Sequence, residues 1–291
     1  MSIPINHHYI SRCHLNMFFN ESERKIYCYD KQLDNFYCKP TTKSVFSEEY
    51  SNTRTSPFGL DHGTLEEQLK KHFEDDFVKH TRAIVTFAES PKSENVAVIE
   101  SLYHISAYAL VLEARFPRNK LQMDNGLDNL MLEVAKKARW AGDERAAAAI
   151  ERQIADKKTK YSNALNYSTL AARLLERTGD LDFEIFRISS SDVFILPDVG
   201  CMRFRARINN YINPNIQEVA CIGIPLTPKI YLLASSRKLG NTQNGVLTIH
   251  GEDSPTVANL NESFYHLASK TIVASNQQQL EKAVRRSRQN S

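Results

Sequence analysis

The N-terminal stretch INHHYISRCHLNMF combines residue types that transfer protons with one that binds anions. His8 precedes Arg12 by four residues, and His7 and His14 lie on either side of His8 in the sequence. A histidine can accept or donate a proton near neutral pH, and an arginine can hold a phosphate through two parallel hydrogen bonds. A histidine with an arginine suits the cleavage of a phosphodiester bond, so we predict catalytic roles for His8 and Arg12.

General acid and base catalysis normally needs a second titrating group. Four residues elsewhere in the chain could supply it if folding brings them to His8, namely Asp198, Glu66, His250 and His266. We predict Asp198 as the third catalytic residue.

The same stretch also has an architectural interpretation. Tyr9, Ile10, Leu15 and Phe18 are large apolar residues at spacings that suit a core. The histidines would then bind backbone groups beside that core. We favour this interpretation for His7 and His14, and both interpretations stay open for His8.

We predict no metal site. Six zinc-ligand types lie within 32 residues, namely His7, His8, Cys13, His14, Cys28 and Cys38. Their spacing matches no zinc knuckle or ribbon, and a structural zinc needs four ligands in a tetrahedron. The acidic run Glu74, Asp75, Asp76 is expected to spread around a helix and face solvent. G-x-G-x-x-G, Walker A and G-x-S-x-G motifs do not occur in the sequence, so nucleotide binding through such motifs is not predicted. The identity of any cofactor is left open.

A second candidate surface lies in the segment MRFRARINNY. Arg203, Arg205 and Arg207 alternate with other residues, so on a strand they project from one face. Such a row suits contact with a phosphate backbone, and we predict RNA or DNA as its partner. The alternative is that these arginines pair with acidic residues of the helical layer described below.

Composition limits the class of protein only loosely. In 291 residues, 37 Lys and Arg against 34 Asp and Glu give a net charge of +3, which permits an anionic partner without requiring one. We recognise no signal peptide and no membrane span. The five cysteines form no C-x-x-C pair, so we expect reduced thiols and a cytoplasmic location.

The hydrophobic periodicity predicts an α+β fold. Short strands are expected in a β-rich first segment (1–60), long helices in a central layer (61–180), a mostly antiparallel sheet in 181–275, and a basic tail in 276–291. One domain over 1–291 is the simplest organisation, and a division near residue 180 is the alternative.

Within the helical layer, individual helices can be predicted. A T-x-x-E capping box at 64–67 begins a helix that continues to about residue 87, with Leu65, Leu69, Phe73 and Phe77 on one side. A second helix over 93–115 is apolar on nearly every face and should be central. The C-terminal NQQQLEKAVRRSRQNS is polar and basic, and is expected to be a frayed helix.

Several segments resemble a family known as domain of unknown function 4238. HHYISRCHLNMF is similar to its N-terminal signature, which is close to H-H-Y-I-P-R-F-Y-L-R-N-F. Further similarities follow in the same order through nearly the whole chain: IYCYDK, VFSEEYSN, LEEQLKKHFEDDF, VFILPDVG, IGIPLTPKIYLLAS and VANLNESFYHLASKTIVAS. The chain departs from the family pattern at Ser11, where a proline is usual, and in the segment around Asp198, where a Ser-Asp-Asn-Pro core is usual.

The candidate catalytic residues are among those that match the family: His8 and Arg12 match its first motif together with Tyr9, Ile10, Leu15 and Phe18, and Asp198 matches a later motif together with Phe194 and Ile195. It implies a bacterial or phage origin and a cytoplasmic location, without an established reaction. Our leading hypothesis is a nuclease, or another protein acting on RNA or DNA, in a phage or phage-defence context. The alternative is a non-catalytic binding protein in which the HHY motif is structural. A protein partner or a second copy of the chain also stays open.

Overall fold

The structure is a computed structural model that describes residues 6–56, 59–91, 96–155, 161–210, 213–236, 247–252 and 254–289. In these ranges the α-helices are Arg12–Asn16 (α1), Thr64–Leu69 (α2), Asp75–Glu89 (α3), Val96–Arg115 (α4), Pro117–Trp140 (α5), Glu144–Ala155 (α6), Tyr167–Thr178 (α7), Ser254–Leu267 (α8) and Gln277–Gln289 (α9). A π-helical turn, Lys70–Glu74, joins α2 to α3, and a 3₁₀ turn covers Tyr161–Ala164.

The strands complete the α+β fold that the sequence predicts. They are Asn6–His8 (β1), Ile26–Asp30 (β2), Asn35–Lys39 (β3), Ser47–Glu49 (β4), Arg54–Ser56 (β5), Gly59–Asp61 (β6), Leu181–Ile188 (β7), Leu196–Pro197 (β8), Met202–Asn210 (β9), Asn213–Thr227 (β10), Ile230–Ser236 (β11), Leu247–Glu252 (β12) and Thr271–Ala274 (β13). Short strands come first, long helices follow, and most later strands pair antiparallel, as predicted.

Two larger sheets organise these strands. One has the order β12-β7-β11-β10-β9, and its β12–β7 pair is parallel while the others are antiparallel. The other has the order β3-β2-β13-β8, so it combines strands from the first and last parts of the chain. Two-stranded ladders β1–β4 and β5–β6 lie outside these sheets. Among the described strands, β1 pairs only with β4.

The helix that follows β6 carries four apolar residues at four-residue intervals, and all four are buried: Leu65, Leu69, Phe73 and Phe77. On an ideal helix of 3.6 residues per turn, each such step drifts by about 40°. The wider π-helical turn between α2 and α3 absorbs part of this drift, which keeps the four side chains on the core side. The predicted capping box is wrong: Gly63 is the N-cap, and the Asp61 carboxylate accepts from the N–H groups of Gly63 and Thr64.

Helix α4 lies at the centre of the core, as its apolar faces predict. Its buried apolar side chains are Val98, Leu102, Ile105, Tyr108, Ala109, Leu110, Val111 and Leu112. They belong to a core cluster that also includes side chains of α1, α2, α3, β10 and β11. Arg115, the last residue of α4, is 1% exposed and is the largest fully buried side chain among the described residues.

The C-terminal segment differs from the prediction of a frayed tail. Helix α9 buries Leu280, Ala283, Val284 and Ser287, at the spacing of one helix face, against α8 and the β2–β13 pair. Because polar residues surround this apolar stripe, the composition of the segment does not indicate a buried helix. In the described residues, no helix is both long and apolar enough to cross a membrane.

Candidate functional site

A cleft opens where the first turns of the chain meet the helix pair α2–α3. It has a volume of about 280 Å³. Its lining residues, which define the N-terminal cleft, are His8, Ser11, Arg12, Cys13, Glu66, Lys70, Glu74 and Asp75. Strand β1 ends at His8 and helix α1 begins at Arg12, while the π-helical turn supplies Lys70 and Glu74. The two residues that the sequence singles out therefore share one concave site with acidic and basic partners.

The apolar residues of the first motif hold this segment in place. Ile10, Leu15 and Phe18 are completely buried, which agrees with the core role predicted for them. Ser11, which stands where the family usually has proline, has its hydroxyl oxygen 2.6 Å from that of Tyr108 on α4. The backbone of the motif is thus fixed against the central helix, and His8 and Arg12 extend from a rigid support.

The His8 ring lines the N-terminal cleft with one ring nitrogen unsatisfied. Its Nε2 atom is buried and has no hydrogen-bond partner. Burial is the main cause that lowers the pKa of His8 below its ordinary value of 6.5, and the charges of Arg12 and Arg115 lower it further. A backbone hydrogen bond with Thr42 and the charge of Glu66 act in the opposite direction. The ring is consequently neutral at neutral pH, and a neutral imidazole can accept a proton.

A buried arginine joins His8 to the acidic side of the cleft. Arg115 donates through Nη2 to the backbone carbonyl of His8. Its Nη1 lies 3.3 Å from Oε1 of Glu74, and its Nη2 lies 3.9 Å from Oε1 of Glu66. One guanidinium therefore fixes the spacing between β1, α2 and the π-helical turn.

Glu74 differs from the solvated helix face predicted for the run Glu74 to Asp76. Its side chain is 23% exposed and pairs with Arg115. Burial raises the pKa of Glu74 above the ordinary glutamate value, and the charge of Arg115 offsets part of this rise. Such a carboxyl group keeps its proton to a higher pH than an ordinary one and can donate it. The spacing in the sequence could not reveal this, because the π-helical turn changes which face Glu74 occupies.

Two cations lie at the edge of the same cleft. Arg12 and Lys70 are exposed, and neither forms a salt bridge with another described residue. Cations that are not committed to a protein carboxylate are suited to bind an incoming phosphate.

The segment VFSEEYSN contains a tight turn that contacts Glu66 of the cleft. The Asn52 side-chain amide donates to Oε1 of Glu66, and its backbone N–H donates to Nδ1 of His7 at 2.9 Å. Lys120 donates to the Ser51 carbonyl at 2.5 Å and to Oδ1 of Asn52 at 3.0 Å. His7 is thus a structural histidine, as favoured from the sequence.

His14 is also enclosed in the core. Its Nε2 lies 2.8 Å from the carbonyl oxygen of Pro225, while its Nδ1 is buried without a partner. Complete burial lowers the pKa of His14 to about 4. Because this ring does not line the cleft, no ligand can reach its unpartnered nitrogen without opening the core.

The structure does not bring Asp198 to His8 and Arg12. Asp198 does not line the N-terminal cleft and is 2% exposed. Its carboxylate accepts hydrogen bonds from three successive backbone N–H groups. The donors are Ser269, Lys270 and Thr271, at 2.9, 2.7 and 3.0 Å. We call this arrangement the Asp198 junction. It connects the end of β8 to the start of β13.

The neighbouring Gly200 packs against the first motif. A Cβ atom at Gly200 would lie 2.8 Å from Leu112 Cδ1 and 3.1 Å from Ile10 Cδ1, and its φ of +78° favours glycine. Gly200 therefore packs against the Ile10 side chain of the first motif, and the charge of Asp198 contributes to the raised pKa of Tyr9 in that motif.

The remaining candidates lie elsewhere. His250 Nε2 is 2.9 Å from Oε2 of Glu184 on the five-stranded sheet, and neither His250 nor His266 lines the N-terminal cleft. Among the residues that the structure describes, no three His, Cys, Asp or Glu side chains are grouped to hold a metal ion.

The arginine row of β9 has mixed surroundings. Arg203 Nε lies 2.9 Å from Oε2 of Glu113 on α4, which is the pairing with the helical layer that was considered as the alternative. Arg205 is exposed. The side chain of Arg207 lies outside the described residues.

Comparison with known proteins identifies one family. The family model described as "Protein of unknown function (DUF4238)" matches residues 6–278. No curated protein and no solved structure matches the chain.

Proposed function

The chain belongs to the DUF4238 family of proteins of unknown function, and from the chemistry of its N-terminal cleft we propose that it cleaves phosphodiester bonds in nucleic acid. The observation that carries the proposal is the combination of His8, Glu74 and Arg12 in one cleft. A neutral histidine with an unsatisfied nitrogen can act as a general base, and a carboxyl group of raised pKa beside it can act as a general acid.

Each remaining cleft residue has a role in this proposal. Arg12 and Lys70 bind the phosphate and neutralise charge that develops on its oxygens in the transition state. Arg115 acts as a positioning residue, because it holds both the His8 backbone and the Glu74 carboxyl group. Glu66 completes the charge balance around Arg115.

The arginines of β9 are proposed to contact phosphates outside the cleft. Arg203 bonds to Glu113, which precedes Arg115 by two residues on α4. A nucleic acid that crosses β9 would exchange this ion pair, in which Arg203 is exposed and Glu113 is half-buried, for a phosphate contact.

We propose that the activity is exercised in the cytoplasm of a bacterium, in a phage or phage-defence context. No disulfide joins the five cysteines, all of which the structure describes, and thiols persist in reducing compartments.

The experiment compares variants of the cleft on labelled RNA and DNA. His8→Ala and Glu74→Gln are each expected to reduce cleavage by about 100-fold or more, the range for loss of a general acid or base. His72→Ala is the matched control, because His72 is an exposed histidine of the same π-helical turn that does not line the cleft.

Melting temperature is measured in parallel. Loss of cleavage by His8→Ala without a fall in melting temperature supports a catalytic role. Wild-type cleavage in His8→Ala would remove the site assignment. Destabilisation of His8→Ala, with no cleavage by the wild-type protein, would instead support the non-catalytic binding protein.

A further inference from the structure

The composition of the N-terminal cleft also points to the kind of nucleic acid and to the nucleophile. A ribonucleotide carries its own nucleophile, the 2′-hydroxyl, next to the phosphorus that it would attack. Holding a nucleophile and its target together removes much of the entropic barrier. Such a reaction needs a base for the hydroxyl, an acid for the leaving oxygen and cations for the phosphate. His8, Glu74, Arg12 and Lys70 supply these groups within one cleft.

The size of the cleft limits the form of the substrate. A volume of about 280 Å³ lies just below the usual range for ligand pockets. It accommodates a single nucleotide unit rather than a paired helix. Proteins that act on individual nucleotides of RNA mostly use single-stranded segments, whose bases are unstacked and accessible.

We propose that the N-terminal cleft cleaves single-stranded RNA by attack of the ribose 2′-hydroxyl on the adjacent phosphorus. This inference rests on the proposed function, and it adds the substrate class and the nucleophile. Arg12 and Lys70 bind the non-bridging phosphate oxygens. Nε2 of His8 is buried in the free protein, so the His8 ring has to turn this atom toward the cleft to meet the 2′-hydroxyl.

The bonds and protons balance as follows. The 2′-hydroxyl proton moves to Nε2 of His8 while the 2′-oxygen forms a bond to phosphorus. The bond from phosphorus to the 5′-oxygen of the next nucleotide breaks, and the Glu74 carboxyl group transfers its proton to that oxygen. The products are a 2′,3′-cyclic phosphate and a free 5′-hydroxyl. The enzyme is left with a protonated His8 and an ionised Glu74, and proton exchange with water restores the starting state.

The unsatisfied nitrogen of His8 supports this assignment. A buried polar atom without a partner costs free energy in the free protein, and a hydroxyl donor that reaches it recovers that cost. A ribose hydroxyl is such a donor, whereas deoxyribose has none at this position. Binding and reaction therefore both favour RNA.

The test uses the full-length protein with three substrates of the same sequence: a single-stranded RNA, the matching DNA, and the RNA with one 2′-deoxy nucleotide at the mapped cleavage site. We expect RNA to be cleaved, the DNA to be cleaved at least about 100-fold more slowly, and the deoxy-substituted site to be resistant. Mass spectrometry should identify a 2′,3′-cyclic phosphate, and His8→Ala should be inactive, with His72→Ala as the control.

The outcomes separate the inference from the proposed function. Cleavage of DNA at the rate of RNA, or RNA products that carry a 5′-phosphate, would overturn the inference while His8-dependent cleavage preserved the proposed function. No His8-dependent cleavage of any of the three substrates would overturn both. Cyclic phosphate at the unmodified site together with resistance of the deoxy site supports both.

Discussion

The N-terminal cleft and the Asp198 junction both contain residues that the sequence predicts to be catalytic. The two sites differ in whether the hydrogen bonds of these residues are satisfied. At the Asp198 junction both carboxylate oxygens accept hydrogen bonds, which three backbone N–H groups donate. In the N-terminal cleft, a histidine nitrogen has no hydrogen-bond partner, and the Glu74 carboxyl group lines a concave surface. Burial raises the pKa of both Glu74 and Asp198, so the difference between the two sites lies in their hydrogen bonds and in the cleft.

This difference separates architecture from candidate chemistry. A carboxylate saturated by backbone donors cannot bind or protonate a substrate without first breaking those bonds. An unsatisfied group has its interaction energy still to gain, and a ligand can supply it. The position of the ring matters too, because His14 also has an unsatisfied nitrogen, Nδ1, but its ring is completely buried and does not line the cleft.

The largest expected effect is at the Asp198 junction. Asp198→Ala leaves three backbone N–H groups without their acceptor, and we expect the free energy of unfolding to fall by about 3 kcal/mol. Asp198→Asn keeps one accepting oxygen and should lose less. Urea denaturation of both variants measures the difference.

Cleavage per folded molecule should survive Asp198→Ala, unlike His8→Ala. If Asp198→Ala kept wild-type stability but lost cleavage, Asp198 would not be a structural residue, and it would be catalytic as the sequence predicts.

An intermediate effect is expected from acid. Burial lowers the pKa of His14 from 6.5 to about 4, so between these values the unfolded chain binds a proton that the folded protein excludes. Stability is therefore lost as the pH falls below 6.5, by about 2 kcal/mol between pH 7 and pH 5.

The check is to measure unfolding at both pH values in the wild-type protein and in His14→Gln. His80 and His104, whose pKa values burial also lowers, contribute equally to both proteins. The variant should have a smaller difference between the two pH values. An equal difference would show that His14 does not titrate as an enclosed residue.

The smallest expected effect is at the exposed arginine row. Arg203→Ala removes a surface ion pair with Glu113, so we expect a loss of stability below about 1 kcal/mol. If Arg203 also contacts phosphate, the slope of log affinity against log salt for single-stranded RNA should decrease by about 1. A slope equal to that of the wild-type protein would leave Arg203 as a link between β9 and α4, distinct from the N-terminal cleft.

Much of the fold could be predicted because local periodicity carries it. The four apolar residues from Leu65 to Phe77 indicated their helix, and the apolar faces of α4 indicated its central position. Helix α9 was harder, because its narrow apolar stripe is diluted by polar residues and is stabilised only by α8, β2 and β13.

The sequence predicted only part of the candidate site. His8 and Arg12 are four residues apart, and their residue types alone suggest proton transfer and phosphate binding. Glu74 and Arg115 are separated from them by about 60 and 100 positions. Arg115 had one signal, a lone arginine at the end of an apolar helix, which requires a partner if it is buried.

The sequence by itself determined the α+β class, the core residues of the first motif and the family, because these depend on residue patterns that are local or repeated in the same order. Only the tertiary structure decided which distant groups meet. It placed Asp198 under three backbone N–H groups, and it placed Glu74 beside Arg115 and His8 through a π-helical turn. The physical reason is that burial and the satisfaction of hydrogen bonds depend on neighbours far along the chain, and these two properties separate a structural carboxylate from one that is available to react.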